Sequence, residues 1–404
     1  MFSPIVVNPA LFLLLLLSSS EFRPVVESVG INYGQVADNL PEPGKVVKIL
    51  SSLGISKVRI YDTNPKILTA FANSGIELII TVPDDMVGRL TDSDQAVEWV
   101  TANVKPFYPS TRISGIAVGN EVYTTDDDAL KTNLVQAMVS IHKALVQLNL
   151  NTSSIHVSTA NSLAVLQDSY PPSSGSFKPE LVNVISPFLR FLAATGAPFW
   201  INAYPYFTYK DSHNLVPLDY VLFNPNVGMD DPFTKLHYDN MLYAQVDAVV
   251  FALARMGFGG VDVRVAETGW PSKGDSDEFG ATAENARDYN KNLVVRQIAG
   301  EGTPLRPDRR LEVYLFALFN EDLKPGPTSE RNYGLYKPDG TMSYNVGLTA
   351  SATSAQSITL TSSSQTALTS TASASSASPV TPITYYWITI CFLTYQCLIT
   401  FQIK

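Results

Sequence analysis

A chain of 404 residues that is 45% hydrophobic and 16% charged carries enough apolar material for a large core, which excludes an intrinsically disordered protein. Its net charge of -9 disfavours a nucleic-acid partner, because neutralising phosphates needs a basic face, and a neutral substrate such as a polysaccharide fits better. The two cysteines, Cys391 and Cys397, both lie near the C-terminus, which excludes zinc clusters, redox motifs and a cysteine nucleophile from the rest of the chain.

In chain order, the first element is the unbroken apolar run 11–17, followed by Ser18, Ser19 and Ser20. Such a run reads as the core of a secretory signal and is too short to span a bilayer, so residues 1–28 are assigned to a signal peptide, although no Lys or Arg precedes the run. From there, short stretches rich in Val, Ile, Tyr and Phe recur at 29–33, 57–62, 76–82, 113–118, 155–159, 199–204, 261–266 and 312–319, and each is predicted as a strand. Helical spacing appears between them at 43–53, 96–107, 129–148, 239–256 and 282–298. In the fourth of these, Leu242, Val246, Val249, Val250 and Leu253 make one apolar face, and Gly257 follows as a cap.

Strands as apolar as 78–82 suit a parallel sheet covered on both faces. Eight strands alternating with helices over residues 29–348 predict an α/β fold, a single (β/α)8 TIM barrel forming one catalytic domain, in preference to a doubly wound open sheet. Asn151-Thr152-Ser153 is the one N-glycosylation sequon, expected to carry a glycan on Asn151 if the chain is exported. Residues 349–381 are mostly Ser, Thr and Ala and read as a flexible stalk, while 382–404 form an apolar tail. Small residues, a short spacer and a terminal apolar stretch fit a glycosylphosphatidylinositol signal; a single membrane-spanning helix is the alternative, weakened by the Thr, Tyr and Gln within it.

In a barrel of this type the reacting groups gather where the strands end. Three predicted strands end beside a carboxylate: Gly119-Asn120-Glu121 at the fourth, Ala266-Glu267-Thr268-Gly269-Trp270-Pro271 at the seventh, and Phe319-Asn320-Glu321 at the eighth. One such carboxylate would read as a helix cap or an ion-pair partner, but three together point to paired-carboxylate chemistry, which glycosidic hydrolysis needs and which requires no metal or cofactor. Ser-His-Asp catalysis is a poor competitor, since the four histidines include His142 in a predicted helix and His156 in a strand, and no G-x-S-x-G elbow occurs. Glycine-rich nucleotide-binding loops are absent from the sequence as well.

The segment Val263-Arg264-Val265-Ala266-Glu267-Thr268-Gly269-Trp270-Pro271-Ser272 resembles the signature of family 17 glycoside hydrolases, the plant endo-1,3-β-glucanases. The resemblance extends through Gly30-Ile31-Asn32-Tyr33-Gly34, Arg59-Ile60-Tyr61-Asp62, Val118-Gly119-Asn120-Glu121, Asn202-Ala203-Tyr204-Pro205-Tyr206-Phe207 and Phe319-Asn320-Glu321-Asp322-Leu323-Lys324, and so covers the whole predicted barrel. It implies cleavage within 1,3-β-glucans with retention of configuration, with Glu121 as acid/base and Glu267 as nucleophile. Glu321, Lys324 and Glu330 match polar positions of the family's cleft, and binding and charge balance are expected of them.

Retention needs the two carboxyl groups about 5–5.5 Å apart, close enough for their charges to raise one pKa, and Glu121 is expected to be the raised one. Tyr204 is placed to donate a hydrogen bond to Glu267, and Arg59 to supply a positive charge, with a structural ion pair as the competing role. Sugar faces stack on aromatics, so Tyr33, Tyr206, Phe207, Trp270 and Phe319 are candidates beside Asn120, although Trp270 could instead brace the nucleophile turn. Two other functions share these residues: a surface protein that binds glucan without turnover, and a transglucosylase in which a sugar hydroxyl intercepts the covalent intermediate. The expected setting is the outer face of the plasma membrane or the cell wall.

Overall fold

The computed structural model describes residues 29–150 and 152–348. The predicted signal, stalk and tail, and the Asn151 glycosylation site, lie outside the described residues. Eight parallel strands close into a barrel: β1 (Gly30–Tyr33), β2 (Lys57–Ile60), β3 (Glu77–Val82), β4 (Arg112–Asn120), β5 (His156–Ser162), β6 (Phe199–Asn202), β7 (Val263–Thr268) and β8 (Val313–Leu315), with β8 pairing back onto β1. The fold is the (β/α)8 barrel.

The interior is filled by complementary sizes. Trp200 of β6 and Tyr314 of β8 reach across the barrel, while Ala117, Ala160 and Ala266 of β4, β5 and β7 leave room for them. Gly115 is required here, because a Cβ at that position would come within 2.9 Å of the Trp200 ring.

Helices α1 (Pro43–Leu53), α2 (Pro65–Ala70), α3 (Ser93–Asn103), α4 (Asp128–Gln147), α5 (Val182–Thr195), α6 (Pro205–Ser212), α7 (Met241–Arg255) and α8 (Ala283–Ile298) lie along the connections. Their starts follow from capping: Asp92, Asp127, Asn240 and Thr282 each accept backbone N–H groups of the first turn of α3, α4, α7 and α8. α7 is buried nearly all round, because the excursion after β5 lies over it, with the Arg255 guanidinium donating to the carbonyls of Ser173 and Gly175. Among the described residues no helix is long and apolar enough to cross a membrane.

Several boundaries differ from the sequence reading. The third helix begins at Ser93 and ends at Asn103, where Asn103 turns its amide onto the Trp99 carbonyl ahead of Pro106. β6 stops at Asn202, since Pro205 fixes the first turn of α6 and leaves Tyr204 as its N-cap. The predicted eighth strand shrinks to Val313–Leu315, beyond which the chain continues irregularly, with the Phe316 and Leu318 N–H groups on the carbonyls of Thr268 and Asn32 and an isolated bridge from Phe319 to Tyr336. α5 carries Pro187 in its second turn, which hid it from the helical pattern, and Ile185, Phe188, Leu189 and Leu192 bury its inner face regardless.

Candidate active site

Two irregularities aim carboxylates out of the C-terminal end of the barrel. At the end of β4, Gly119 and Glu121 both take left-handed backbone, φ 67° and 56°. The strand thereby turns sharply while the Glu121 N–H still bonds the Ala160 carbonyl at 2.8 Å. The Asp84 carboxylate accepts the Asn120 N–H at 2.9 Å and fixes the other side of this turn.

In β7 the pairing register to β6 shifts between Val265 and Glu267, a bulge that sets Glu267 opposite Asn202. The Ala266 carbonyl freed at the bulge accepts from Asn32 Nδ2 of β1 at 3.1 Å, so a buried amide completes the ladder there.

Glu267 is 7% exposed and fully engaged. Arg59 Nη1 donates to its Oε1 at 2.7 Å, and the Tyr204 hydroxyl donates to Oε2 at 2.8 Å. Arg59 is itself completely buried, with its second arm on Asn120 Oδ1 at 2.7 Å and its guanidinium 4.7 Å above the Tyr61 ring. This is a charge-assisted, two-point restraint on one carboxylate. Burial, and then the charge of Glu267, push the phenols of Tyr204 and Tyr61 well above their ordinary range, so both stay protonated.

Glu121 stands in a different environment. It is partly exposed, and Asn202 Nδ2 donates to its Oε1 at 2.8 Å while also approaching Asn120 Oδ1 at 3.5 Å. Desolvation and then the Glu267 charge raise its pKa, and the Asn202 hydrogen bond and Arg59 oppose them only in part. The chain from Glu121 through Asn202, Asn120 and Arg59 to Glu267 is therefore continuous, and within it Glu121 is the carboxyl group whose protonated form is favoured.

The loop after β8 supplies the remaining charges. Glu321 is 3% exposed, accepts the Val36 N–H at 2.9 Å, and presses its carboxylate on Gly34 so closely that no Cβ would fit. Burial raises its pKa too, but this packing keeps it within the wall. Lys324 pairs with Glu330 at 3.4 Å and sits 4.3 Å from the centre of the Phe316 ring.

The aromatic candidates divide. Phe207 is 40% exposed with its ring 5.4 Å from that of Tyr204, so these two present a face. Trp270 is completely buried, donates its indole N–H to the Gly280 carbonyl at 2.7 Å and packs on Tyr206, an arrangement that fits the bracing alternative and leaves no exposed ring face. Phe319 and Tyr33 are each 2% exposed and meet edge to face at 6.1 Å, so their rings, like the buried Tyr206, back the site and offer no stacking surface. Asn32, Tyr61 and Asn202 were not singled out from the sequence. An amide inside a strand has no periodic signature; the signal available was an Asn in each of two quoted motifs.

His142 and His156 lie elsewhere, and burial lowers the pKa of each. Among the described residues no group of three or more His, Cys, Asp and Glu side chains is placed to hold a metal ion.

Residues 29–348 match the family described as glycosyl hydrolases family 17. The chain belongs to that family. It is 52% identical over 322 residues to glucan endo-1,3-beta-glucosidase 11 of Arabidopsis thaliana, covering 79% of this chain and 75% of the relative. Against the glucan endo-1,3-beta-D-glucosidase of Olea europaea it is 43% identical over 340 residues, covering 84% and 74%. A solved β-1,3-glucanase and allergen of Cryptomeria japonica pollen superimposes with a TM-score of 0.76 at 42% identity, over 80% of this chain and 99% of that one. The family 17 chain is accordingly a glycoside hydrolase, and the network around Glu121 and Glu267 is its candidate active site.

Proposed function

We propose that this family 17 enzyme hydrolyses internal 1,3-β-glucosidic linkages of 1,3-β-glucans by double displacement, with Glu267 as nucleophile and Glu121 as acid/base. The carrying observation is the asymmetry of the two carboxyl groups. Glu267 accepts from the guanidinium of Arg59 and the hydroxyl of Tyr204, whereas among the described residues Glu121 meets the Asn202 amide and has a raised pKa. The names of relatives at 43–52% identity support the linkage and the internal mode of attack.

In the first step Glu267 attacks the anomeric carbon as the Glu121 proton passes to the glycosidic oxygen, so the C–O bond breaks and the aglycone leaves as a neutral alcohol. Forming the ester removes the Glu267 charge that raises the Glu121 pKa, and Glu121, now ionised, becomes a better base. Water then gives its proton to Glu121, its oxygen attacks the anomeric carbon, and Glu267 is released with net retention. Asn202 keeps Glu121 directed at the oxygen in both steps.

The test is Glu267→Gly assayed on a 1,3-β-glucoside with an activated leaving group, with and without azide. Turnover should vanish and return with azide, yielding a glycosyl azide of inverted configuration. Undiminished hydrolysis without azide would remove Glu267 from the role. We also propose that the chain is exported and held at the outer membrane face by a lipid anchor, on the composition of residues 11–17 and 349–404; release from membranes by a phosphatidylinositol-specific phospholipase checks this.

A further inference from the structure

A cavity of about 450 Å3 lies outside the network just described, between the excursion after β5, α6, the excursion after α6, and α7. Its size falls within the roughly 300–1,000 Å3 of small-molecule sites. None of the residues that line it is charged. Its mouth carries Tyr170, Leu215 and Val227, which are 73%, 85% and 93% exposed. Single exposed apolar side chains are ordinary, but three around one mouth mark a surface that something covers.

The floor has a different character. Gln245 of α7 is 7% exposed and Tyr220 is 8% exposed, and among the described residues neither Gln245 Oε1 nor the Tyr220 hydroxyl has a hydrogen-bond partner. Both residues line the cavity. The wall is preformed: Asn226 donates to the carbonyls of Asn224 and Asp239 at 2.7 and 2.9 Å and accepts the Gly228 N–H at 2.7 Å, which pins the loop bearing Val227.

These features select a ligand class. A charged ligand would lose its hydration with no counter-charge to meet it, and a hydrocarbon would leave the Gln245 and Tyr220 oxygens unpaired. A neutral ring with C–H faces and hydroxyl groups satisfies both the apolar rim and the polar floor. Thr208, one residue beyond Phe207 on α6, also lines the cavity, so the same helix borders this cavity and carries the exposed ring beside Tyr204.

We propose that this cavity is a second carbohydrate site, which holds a glucosyl segment of 1,3-β-glucan outside the catalytic network and keeps the enzyme on its polymer. The proposal rests on the substrate class given under Proposed function.

The half-buried Met229 and Met241 line the cavity and Met138 is buried in α4, which supplies reporters and a control. The chain carrying Glu267→Gln and 13C-methyl methionine is titrated with a short soluble 1,3-β-gluco-oligosaccharide. The Met229 and Met241 methyl resonances should shift saturably while that of Met138 stays fixed. Tyr170→Ala and Gln245→Leu should each weaken that binding by about fivefold or more and reduce adsorption of the enzyme to insoluble 1,3-β-glucan. Tyr170 is exposed, so its truncation leaves no core void, and this variant carries the test if Gln245→Leu does not fold. Unmoved methyls, shifts equal in parent and variants, or shifts caused by a hydrocarbon probe and not by the sugar would each overturn the proposal. Hydrolysis of the same oligosaccharide by the unsubstituted enzyme is measured alongside: its absence refutes the substrate assignment, whereas hydrolysis with unmoved methyls refutes the cavity alone.

Discussion

Replacing Glu121 by glutamine removes a titrating proton from the site and little else, since the carbonyl of the new amide can still accept from Asn202 at the place of Oε1. If Glu121 is the proton donor, the loss on a natural glucan should be that of general acid–base catalysis, roughly 10²–10⁴-fold, or ~3–5 kcal/mol on the barrier. The loss should depend on the leaving group. A phenol of low pKa departs without protonation, so an aryl 1,3-β-glucoside should still glycosylate Glu267 quickly and then stall, giving a burst. Azide needs no base, and it should restore turnover on that substrate with formation of a glycosyl azide of retained configuration. Stopped-flow release of the phenol reads the first step and product analysis the second. A loss equal on both substrates, with no burst and no azide effect, would refute the assignment.

The same variant tests the electrostatics. The Glu121 pKa is raised above its ordinary 4.5 by burial and then by Glu267. A carboxyl with a raised folded pKa contributes stability that is complete below the unfolded value and is lost as pH rises through the folded one. The glutamine side chain does not titrate, so the melting temperature of Glu121→Gln relative to the parent should climb across that window and level off above it.

Tyr204→Phe deletes a hydrogen bond to a charged acceptor, worth about 1.5–3 kcal/mol to the folded state, so melting should fall accordingly and kcat/KM should fall with it as Glu267 loses one of its two restraints; unchanged kinetics would end the positioning role of Tyr204. Arg59→Met leaves the Glu267 charge buried without its cation and should cost about 3–5 kcal/mol in urea unfolding, most of it recovered in the Arg59→Met/Glu267→Leu double variant. Failure of the second change to recover stability would show that packing, and not charge, dominates the loss. Burial raises the Asp247 pKa to about 6, against the hydrogen bonds it accepts from Tyr238 and Leu305. The parent should therefore lose stability as pH rises from about 4 through about 6, and Asp247→Asn should flatten that slope in denaturant titrations at pH 5 and 7.5.

The barrel was legible in the sequence because its signal is repetitive. Runs such as 78–82 are apolar on both faces, and strand and helix periods alternate between turn residues. The carboxylates were legible for a related reason: a Glu following Val118-Gly119-Asn120, or inside Val265-Ala266-Glu267, breaks an apolar run where a strand must leave the core. What was hidden depends on geometry that no period encodes. The β7 irregularity shows only in its pairing with β6 and β8, and Asn32 reaches the Ala266 carbonyl within that irregular stretch. The orientation of Trp270 and Phe319 was not legible because an aromatic at a strand end looks alike from either side of the wall. Only the hydrogen bond to Gly280 and the packing on Tyr33 decide which way each ring turns.

The backbone at Glu121 offers a separate route to the same site. Its φ of 56° and ψ of 26° place a residue with a Cβ in left-handed space, where an L-residue pays roughly 1–2 kcal/mol that glycine does not. Such strain persists where the surrounding structure over-determines it and the side chain is needed, and here Asp84 and the Ala160 carbonyl hold the turn. Glu121→Ala and Glu121→Gly both delete the carboxyl group and the bond to Asn202, so the difference between them isolates the backbone. The glycine variant should be the more stable by about 1 kcal/mol in urea midpoint analysis, and both should lack activity on natural glucan. That order would mean that the chain gives up stability at this position for a side chain with a chemical task. If alanine proves more stable than glycine, as its smaller unfolded-state entropy alone would make it, the turn carries no strain, and the position of Glu121 would follow from the loop path alone.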